Sequence, residues 1–157
     1  SGRRMVARQL TCDGQRSAVT LQLLHGSARE PHKRREHFHS FMLATHHALH
    51  TLGKTGTTRD TVALYAADVA KDAAVLCLDE FQVTDVADAM IIRRLLDELW
   101  ARGVTLVTTS NRAPDELYKN GLNRAQFVPC IDAIKARCEL HEMASERDYR
   151  LTGHALR

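Results

Sequence analysis

Residues 75–85 read VLCLDEFQVTD, and this stretch decides the fold. Four apolar residues, Val75 to Leu78, run directly into two adjacent carboxylates, Asp79 and Glu80. A short apolar run of this kind is typical of a strand that is buried on both faces of a parallel sheet. Two like charges at the tip of such a strand repel each other and lose solvation. The sequence therefore predicts either a compensating cation or a chemical role for the pair.

The residues after these carboxylates complete a strand–helix–strand unit. A wide apolar stripe that includes Met90, Ile91, Leu95 and Leu99 predicts a helix over residues 86–102, with Asp85 as its N-cap and Gly103 at its end. VTLVTT at 104–109 is the next predicted strand. Because a helix connects them, the two strands are expected to be parallel and their crossover right-handed. Asp79, Glu80 and Asn111 are then expected at the same carboxyl edge of the sheet, where open α/β sheets bind their ligands.

Elsewhere, too, predicted strands and helices alternate. The patterns predict a strand running into a helix at 35–41, helices at 40–52, 61–73 and 123–137, a short helix at APDEL, and a last strand at 138–143. This alternation favours an α/β fold with a doubly wound, mostly parallel sheet. Residues 1–32 form a poorly patterned head with a candidate strand at 19–24, and residues 33–157 form the main domain.

The composition excludes several classes of protein. A chain of 157 residues with 44% apolar and 26% charged residues is typical of one globular domain. The formal charge of +3 is too mild to indicate direct nucleic-acid binding, and no apolar run approaches the roughly 20 residues of a membrane span. Four scattered cysteines without a CxxC pair indicate reduced thiols rather than a disulfide or zinc framework.

A buried strand that ends in Asp-Glu suits nucleotide hydrolysis. The first carboxylate, Asp79, can hold Mg²⁺, and the ion offsets the crowding of negative charge. The second, Glu80, can orient or deprotonate the attacking water, and the amide of Asn111 can hold that water or a γ-phosphate. The plainer alternative is a polar cluster that only caps the next helix at the protein surface.

Three motifs in this part of the chain resemble those of the AFG-one-like ATPases, a family of the AAA+ P-loop class. They are KRREHFHSFMLATHHALH (33–50), LCLDEFQVTDVADAM (76–90) and TSNRAPDELYKNGLNR (109–124), and the resemblance extends over about Lys33 to Leu151. It implies the fold of an AAA+ P-loop NTPase with ATP and Mg²⁺ as cofactors.

The resemblance also implies roles for individual residues. Asp79 corresponds to the Mg²⁺ carboxylate, Glu80 to the catalytic glutamate and Asn111 to the sensor beside the γ-phosphate. Arg124 corresponds to an arginine finger that reaches the nucleotide of a neighbouring subunit. The alternatives for that last role are Arg112 and Arg137.

The function implied by the resemblance is ATP hydrolysis coupled to remodelling or quality control of protein substrates. The expected assembly is a homo-oligomeric ring with, as a further expectation, a membrane-associated partner. With the Arg-rich first 36 residues, the resemblance implies a mitochondrial location if the source is eukaryotic, and the bacterial cytoplasm otherwise.

One motif of the family does not occur among these 157 residues. No G-x-x-x-x-G-K-[ST] is present, and the nearest match, Gly53-Lys54-Thr55, follows a predicted helix rather than a strand. The expectation is an incomplete domain without the P-loop strand and helix, in which hydrolysis is impaired. The strand at 104–109 would then have an open edge, and residues 19–24 are the candidate to cover it.

Two other classes of function stay open. A chain without the phosphate cradle is alternatively a non-hydrolysing partner subunit or a truncated, non-functional product. A metal-binding domain is less favoured, with His37 and His39 predicted on one strand face and His46 and His50 one turn apart on a helix. No acidic third ligand lies beside them, so a solvated helix face is the preferred interpretation.

Overall fold

The computed structural model describes residues 7–12 and 32–143. Its elements are β1 (Ala7–Cys12), β2 (Lys33–His37), α1 (Phe38–Lys54), α2 (Thr61–Asp72), β3 (Val75–Asp79), α3 (Val86–Ala101), β4 (Thr105–Ser110), a 3-10 helix (Pro114–Glu116), α4 (Arg124–Arg137) and β5 (Cys138–Met143). The strands form one sheet in the order β2-β3-β4-β1-β5. In this sheet β2, β3 and β4 are parallel, whereas β1 is antiparallel to both β4 and β5. With three parallel strands, the structure confirms the predicted α/β fold of the incomplete P-loop NTPase type.

The predicted strand–helix–strand unit corresponds to β3, α3 and β4. The Asp85 carboxylate caps α3 by accepting hydrogen bonds from the backbone N–H groups of Ala87 and Asp88, at 2.6 and 3.4 Å. Gly103, at a φ of 78°, follows the helix, in the left-handed region that glycine adopts readily. Because both ends of α3 carry clear signals, its predicted bounds are correct to within one residue.

The two faces of the sheet differ in what covers them. Side chains alternate along a strand, so Leu76, Leu78 and Leu106 lie on one face, where they form a large core with buried side chains from all four α-helices. Val75, Cys77 and Val107 lie on the other face and form a small separate cluster. No helix in the described part of the chain is long and apolar enough to cross a membrane.

Two local predictions are wrong. The strand that covers the open edge of β4 is β1, which pairs with it antiparallel; the candidate at residues 19–24 lies outside the described residues. The first long helix begins at Phe38 rather than residue 40, because Phe38 and Phe41 are both buried at a helical spacing. His39 is therefore on α1 and does not share a strand face with His37.

The prediction of reduced thiols is confirmed for two cysteines and wrong for a third. Cys77 and Cys130 are free and buried. Burial raises the pKa of both thiols, that of Cys130 to about 12, which disfavours the reactive thiolate. Cys138, in contrast, is disulfide-bonded. The register of β1 and β5 places Cys12 directly opposite Cys138, a juxtaposition that depends on strand pairing and is not visible in the cysteine spacing.

Candidate active site

The carboxyl ends of β3 and β4 meet at one edge of the sheet, as predicted. The parallel register pairs Leu78 with Thr108, so the residues that follow each strand are neighbours. The backbone N–H of Glu80 donates to Thr109 Oγ1 at 3.0 Å, and the N–H of Phe81 donates to the Thr109 carbonyl at 2.7 Å. These bonds fix the chain immediately after Asp79 to the tip of β4.

Glu80 has an unusual backbone conformation. Its φ is 55°, a left-handed conformation that costs free energy for a residue with a side chain and persists only where the surroundings impose it. Here the next residue, Phe81, is buried with its ring 4.6 Å from that of Phe38, and its carbonyl accepts a hydrogen bond from Ser110 Oγ. This anchoring directs the Glu80 side chain, which is 75% exposed, out of the sheet edge.

Strand β2 supplies a basic partner to each carboxylate. Arg35 Nε donates to Asp79 Oδ2 at 2.8 Å and Arg35 Nη2 donates to Asp79 Oδ1 at 3.3 Å. The hydrogen bond and the negative charge of Asp79 raise the pKa of Arg35. The imidazole Nε2 of His37 lies 3.1 Å from Glu80 Oε2. A compensating cation, one of the two outcomes that the sequence predicted for the crowded pair, is therefore present beside Asp79.

These two partners were not identified from the sequence. Arg35 and His37 alternate along β2, so both side chains lie on the face that also carries Asp79. The signal was the spacing of Lys33, Arg35 and His37 at every second position immediately before a helix. It became interpretable only when the register placed His37 beside Asp79.

The donor atoms at this edge fit Mg²⁺. The ion prefers oxygen ligands and is usually held by one or two carboxylates together with substrate phosphates and water. The side chains of Asp79 and Glu80 are 32% and 75% exposed, so solvent reaches both. The described residues include no group of three or more His, Cys, Asp or Glu that could hold a metal ion by themselves. The edge therefore offers Asp79 as a carboxylate that could hold a divalent cation whose other ligands are water or phosphate.

Basic side chains follow β4 at the same edge. Asn111, the first residue after the strand, is exposed, and the backbone N–H of Arg112 donates to Ser110 Oγ at 3.2 Å. Arg112 and Lys119 line an open depression of about 450 Å³ together with Glu116 and Asn120. The edge thus places an acidic pair after β3 and a basic depression after β4.

The three candidate arginine fingers lie in different surroundings. Arg124 Nη2 donates to the carbonyl of Asp115 at 2.7 Å, and Arg124 Nε is buried without a hydrogen-bond partner in the described part. The Arg137 guanidinium lies 5.2 Å from the centroid of the Trp100 ring. Arg124 and Arg137 are the first and last residues of α4. A helix rises about 1.5 Å per residue, so the two lie about 20 Å apart. Arg112 and Arg124 share the carboxyl edge, whereas Arg137 lies at the far end of α4.

The histidine pair on α1 does not form a shared site. His46 Nε2 lies 2.6 Å from Asp88 Oδ1, and this contact joins α1 to the first turn of α3. His50 is exposed. Gly53 and Lys54 are the last two residues of the same helix rather than part of a loop that follows it. A helix and not a strand leads into them, so this stretch does not have the context of a phosphate-binding loop.

Comparison with known proteins defines the class of this chain. Residues 14–155 match the AFG1-like ATPase family, so the chain belongs to that family. The match begins at residue 14, within the poorly patterned head of residues 1–32.

Individual relatives come from bacteria and eukaryotes. The chain is 46% identical over 132 residues to the "Cell division protein ZapE" of Escherichia coli K12, which covers 83% of this chain and 34% of the relative. It is 38% identical over 145 residues to the "Lactation elevated protein 1 homolog B" of Danio rerio, covering 87% of this chain and 29% of the relative. The chain therefore spans about a third of the length of the curated relatives it matches. No solved structure gives a significant match.

Proposed function

We propose that this chain contributes the hydrolytic carboxylates of a Mg²⁺-dependent ATPase. The observation that supports the proposal is the position of Asp79 and Glu80 at the carboxyl edge of a parallel sheet, with Asn111 following the adjacent strand. Bound Mg²⁺ would neutralise charge on the transferred phosphoryl group. Glu80 accepts a proton from the attacking water, and Asn111 orients that water or the γ-phosphate through its amide.

Hydrolysis also requires a phosphate cradle, and the 157 residues contain no G-x-x-x-x-G-K-[ST] motif. We propose that these residues by themselves hydrolyse ATP weakly, because Asp79 alone cannot hold Mg²⁺–ATP. A longer protein that adds a strand, glycine-rich loop and helix restores the backbone N–H groups and the lysine that hold the phosphates.

The test measures ATP turnover in four proteins. The chain is prepared with and without an upstream glycine-rich segment, and each form carries Glu or Gln at position 80. With the segment, Glu80→Gln should lower turnover about 10²–10⁴-fold while ATP binding is retained. Glu98→Gln is the control, since Glu98 pairs with Arg102 near the other end of α3. Strong Glu80-dependent turnover by the 157 residues alone would show that they build a phosphate site of their own.

We propose that Arg124 acts on the nucleotide of a neighbouring subunit in a homo-oligomeric ring. Its position at the carboxyl edge supports the proposal, as does its buried Nε, which has no hydrogen-bond partner among residues 7–12 and 32–143. Subunit mixing tests it in the longer protein. An Arg124→Ala subunit has an intact site but no finger, and a Glu80→Gln subunit has a finger but an inactive site. Mixing the two should restore part of the activity, whereas recovery that requires Arg112 instead would reassign the finger.

Membership of the AFG1-like ATPase family is the observation that supports a wider role. We propose that hydrolysis drives remodelling or quality control of protein substrates, and that a eukaryotic form acts in mitochondria, with a membrane-associated partner. Imaging of the tagged full-length protein tests the location, and a cytosolic signal in a eukaryotic source would contradict it. A chain that stimulates an active relative without hydrolysing ATP would instead be a partner subunit.

A further inference from the structure

Arg35 already occupies the carboxylate that the proposed function assigns to Mg²⁺. Its two hydrogen bonds give each oxygen of Asp79 a guanidinium partner, at 2.8 and 3.3 Å. A divalent cation and a guanidinium at the same carboxylate repel each other. Both also need the same lone pairs in the plane of the carboxylate. The two cations are therefore competitors for Asp79.

The position of Arg35 allows it to leave. Strand β2 is at the edge of the sheet, and the Arg35 side chain is 69% exposed. It can rotate into solvent without opening the core on the other face of the sheet. An ion pair with this exposure contributes little to stability, so exchange for another cation is not opposed by a large loss. Arg35 also keeps its charge at all accessible pH values, which makes it a permanent counter-cation.

We propose that Arg35 is the resident counter-cation of Asp79, and that it exchanges with the divalent cation and thereby lowers the metal affinity of this edge. The inference rests on the proposed function, since it takes Asp79 as the metal ligand. Without metal, Arg35 orients Asp79 and offsets its repulsion from Glu80. Metal binding releases the guanidinium. Arg35 is therefore a positioning residue that determines the concentration at which the divalent cation binds Asp79.

Binding of Mn²⁺ alone, measured by electron paramagnetic resonance on the 157-residue chain, tests the proposal without any enzymatic readout. Arg35→Ala should bind Mn²⁺ about three- to fivefold more tightly, because the ion no longer has to displace an exposed ion pair, and exposed pairs are weak. Arg34→Ala is the matched control. It removes the same charge from the same strand, but Arg34 pairs with Glu36 and not with Asp79. Its Mn²⁺ affinity should stay within about twofold of the parent.

Arg35→Lys separates charge from geometry. Lysine keeps the positive charge but cannot place two parallel N–H groups on a carboxylate. We expect a Mn²⁺ affinity between those of the parent and Arg35→Ala. Equal affinity in Arg35→Ala and Arg34→Ala, or weaker binding in Arg35→Ala, overturns the proposal.

Two further measurements keep the result interpretable. In the unmutated chain, the Arg35 Nε–Hε resonance should shift as Mg²⁺ is added, and an unchanged resonance at saturating Mg²⁺ overturns the exchange even if the variants do not fold. Asp79→Asn tests the underlying assignment. If this change leaves Mn²⁺ binding intact, the proposed metal carboxylate is wrong. If it abolishes binding while Arg35→Ala has no effect, only the exchange fails.

Discussion

The two connections that leave β3 and β4 at the carboxyl edge are held in different ways. The acidic connection, residues 80–85, is fastened to the sheet through Glu80, Phe81 and the tip of β4, and it ends on the capping carboxylate of Asp85. The other connection, residues 111–123, is called the basic connection after Arg112 and Lys119 of the depression, although Asp115 and Glu116 balance their charge. It is longer, and its backbone bends at several positions. Tyr118, Asn120 and Asn123 all have positive φ, between 52° and 63°.

Internal bonds hold the basic connection together. The Tyr118 hydroxyl donates to the Leu122 carbonyl at 2.8 Å, and the Tyr118 ring meets the edge of Phe127 at a centroid distance of 5.6 Å. Lys135 and Arg124 of α4 both bond to Asp115, the first through its carboxylate and the second through its carbonyl. This connection is thus a compact unit bonded to α4, and its Leu117 and Tyr118 are buried in the main core.

This difference between the two connections agrees with the role that the proposed reaction gives to each of them. A carboxylate that activates water requires a fixed position relative to the phosphate, and attachment to two strands provides it. A surface that meets a neighbouring molecule requires a fixed shape of its own but not a fixed register with the sheet. The following substitutions test whether the two connections are separate in this way.

The largest effect is expected at the anchor of the acidic connection. Phe81 is 2% exposed and packs on Phe38, so Phe81→Ala should lower the free energy of unfolding by about 3–5 kcal/mol. Leu122→Ala in the basic connection is the control, because Leu122 is 69% exposed and should change stability by less than about 0.5 kcal/mol. Denaturant unfolding measures both. Similar losses in the two variants would mean that Phe81 does not anchor the acidic connection.

The acidic connection was also the part that sequence could predict. The apolar run of β3, the Asp85 cap and the stripe of α3 are local signals, and local contacts confirm them. Leu95 and Leu99 are buried as the stripe predicts, while Met90 and Ile91 are half-buried.

The rest depended on contacts between distant parts of the chain. The partnership of Arg35 with Asp79 joins residues 44 positions apart, and it follows from the register of β2 on β3. Strand β1 carries no clear alternation, and its place beside β4 comes from pairing rather than from its own pattern. The left-handed bends of the basic connection fall on Tyr118, Asn120 and Asn123, and only the asparagines are usual there.

Gly121 tests the internal packing of the basic connection. A Cβ added there would lie 2.2 Å from the Tyr118 ring, so Gly121→Ala must displace the ring and should cost about 1–3 kcal/mol. Gly53→Ala is the matched control. Nothing lies within 4 Å of its added Cβ, and Gly53 is helical, so that substitution should stabilise by about 0.5–1 kcal/mol. Thermal unfolding distinguishes the opposite signs, and stabilisation by Gly121→Ala would show that the ring is free to move.

The cap of the acidic connection should have a smaller effect. Asp85→Ala removes the side-chain acceptor of two backbone N–H groups and should cost about 1 kcal/mol. Asp85→Asn keeps an acceptor oxygen and should cost much less. Equal losses in the two variants would assign the effect to the charge of Asp85 at the helix N-terminus rather than to its hydrogen bonds.

The smallest effect is expected where the basic connection meets α4 through an exposed ion pair. Lys135 Nζ lies 2.9 Å from Asp115 Oδ1, but the two side chains are 50% and 68% exposed. Water screens such a pair and ordering both side chains costs entropy, so Lys135→Ala should lower stability by only about 0.2–1 kcal/mol. The loss should shrink when unfolding is repeated at high salt, because added ions screen the attraction.

Lys119→Ala is the control. It removes an exposed lysine of the same connection that has no ion pair among the described residues, and it should change stability less. A loss above about 2 kcal/mol for Lys135→Ala, unchanged by salt, would mean that the basic connection depends on α4 as strongly as the acidic connection depends on the sheet.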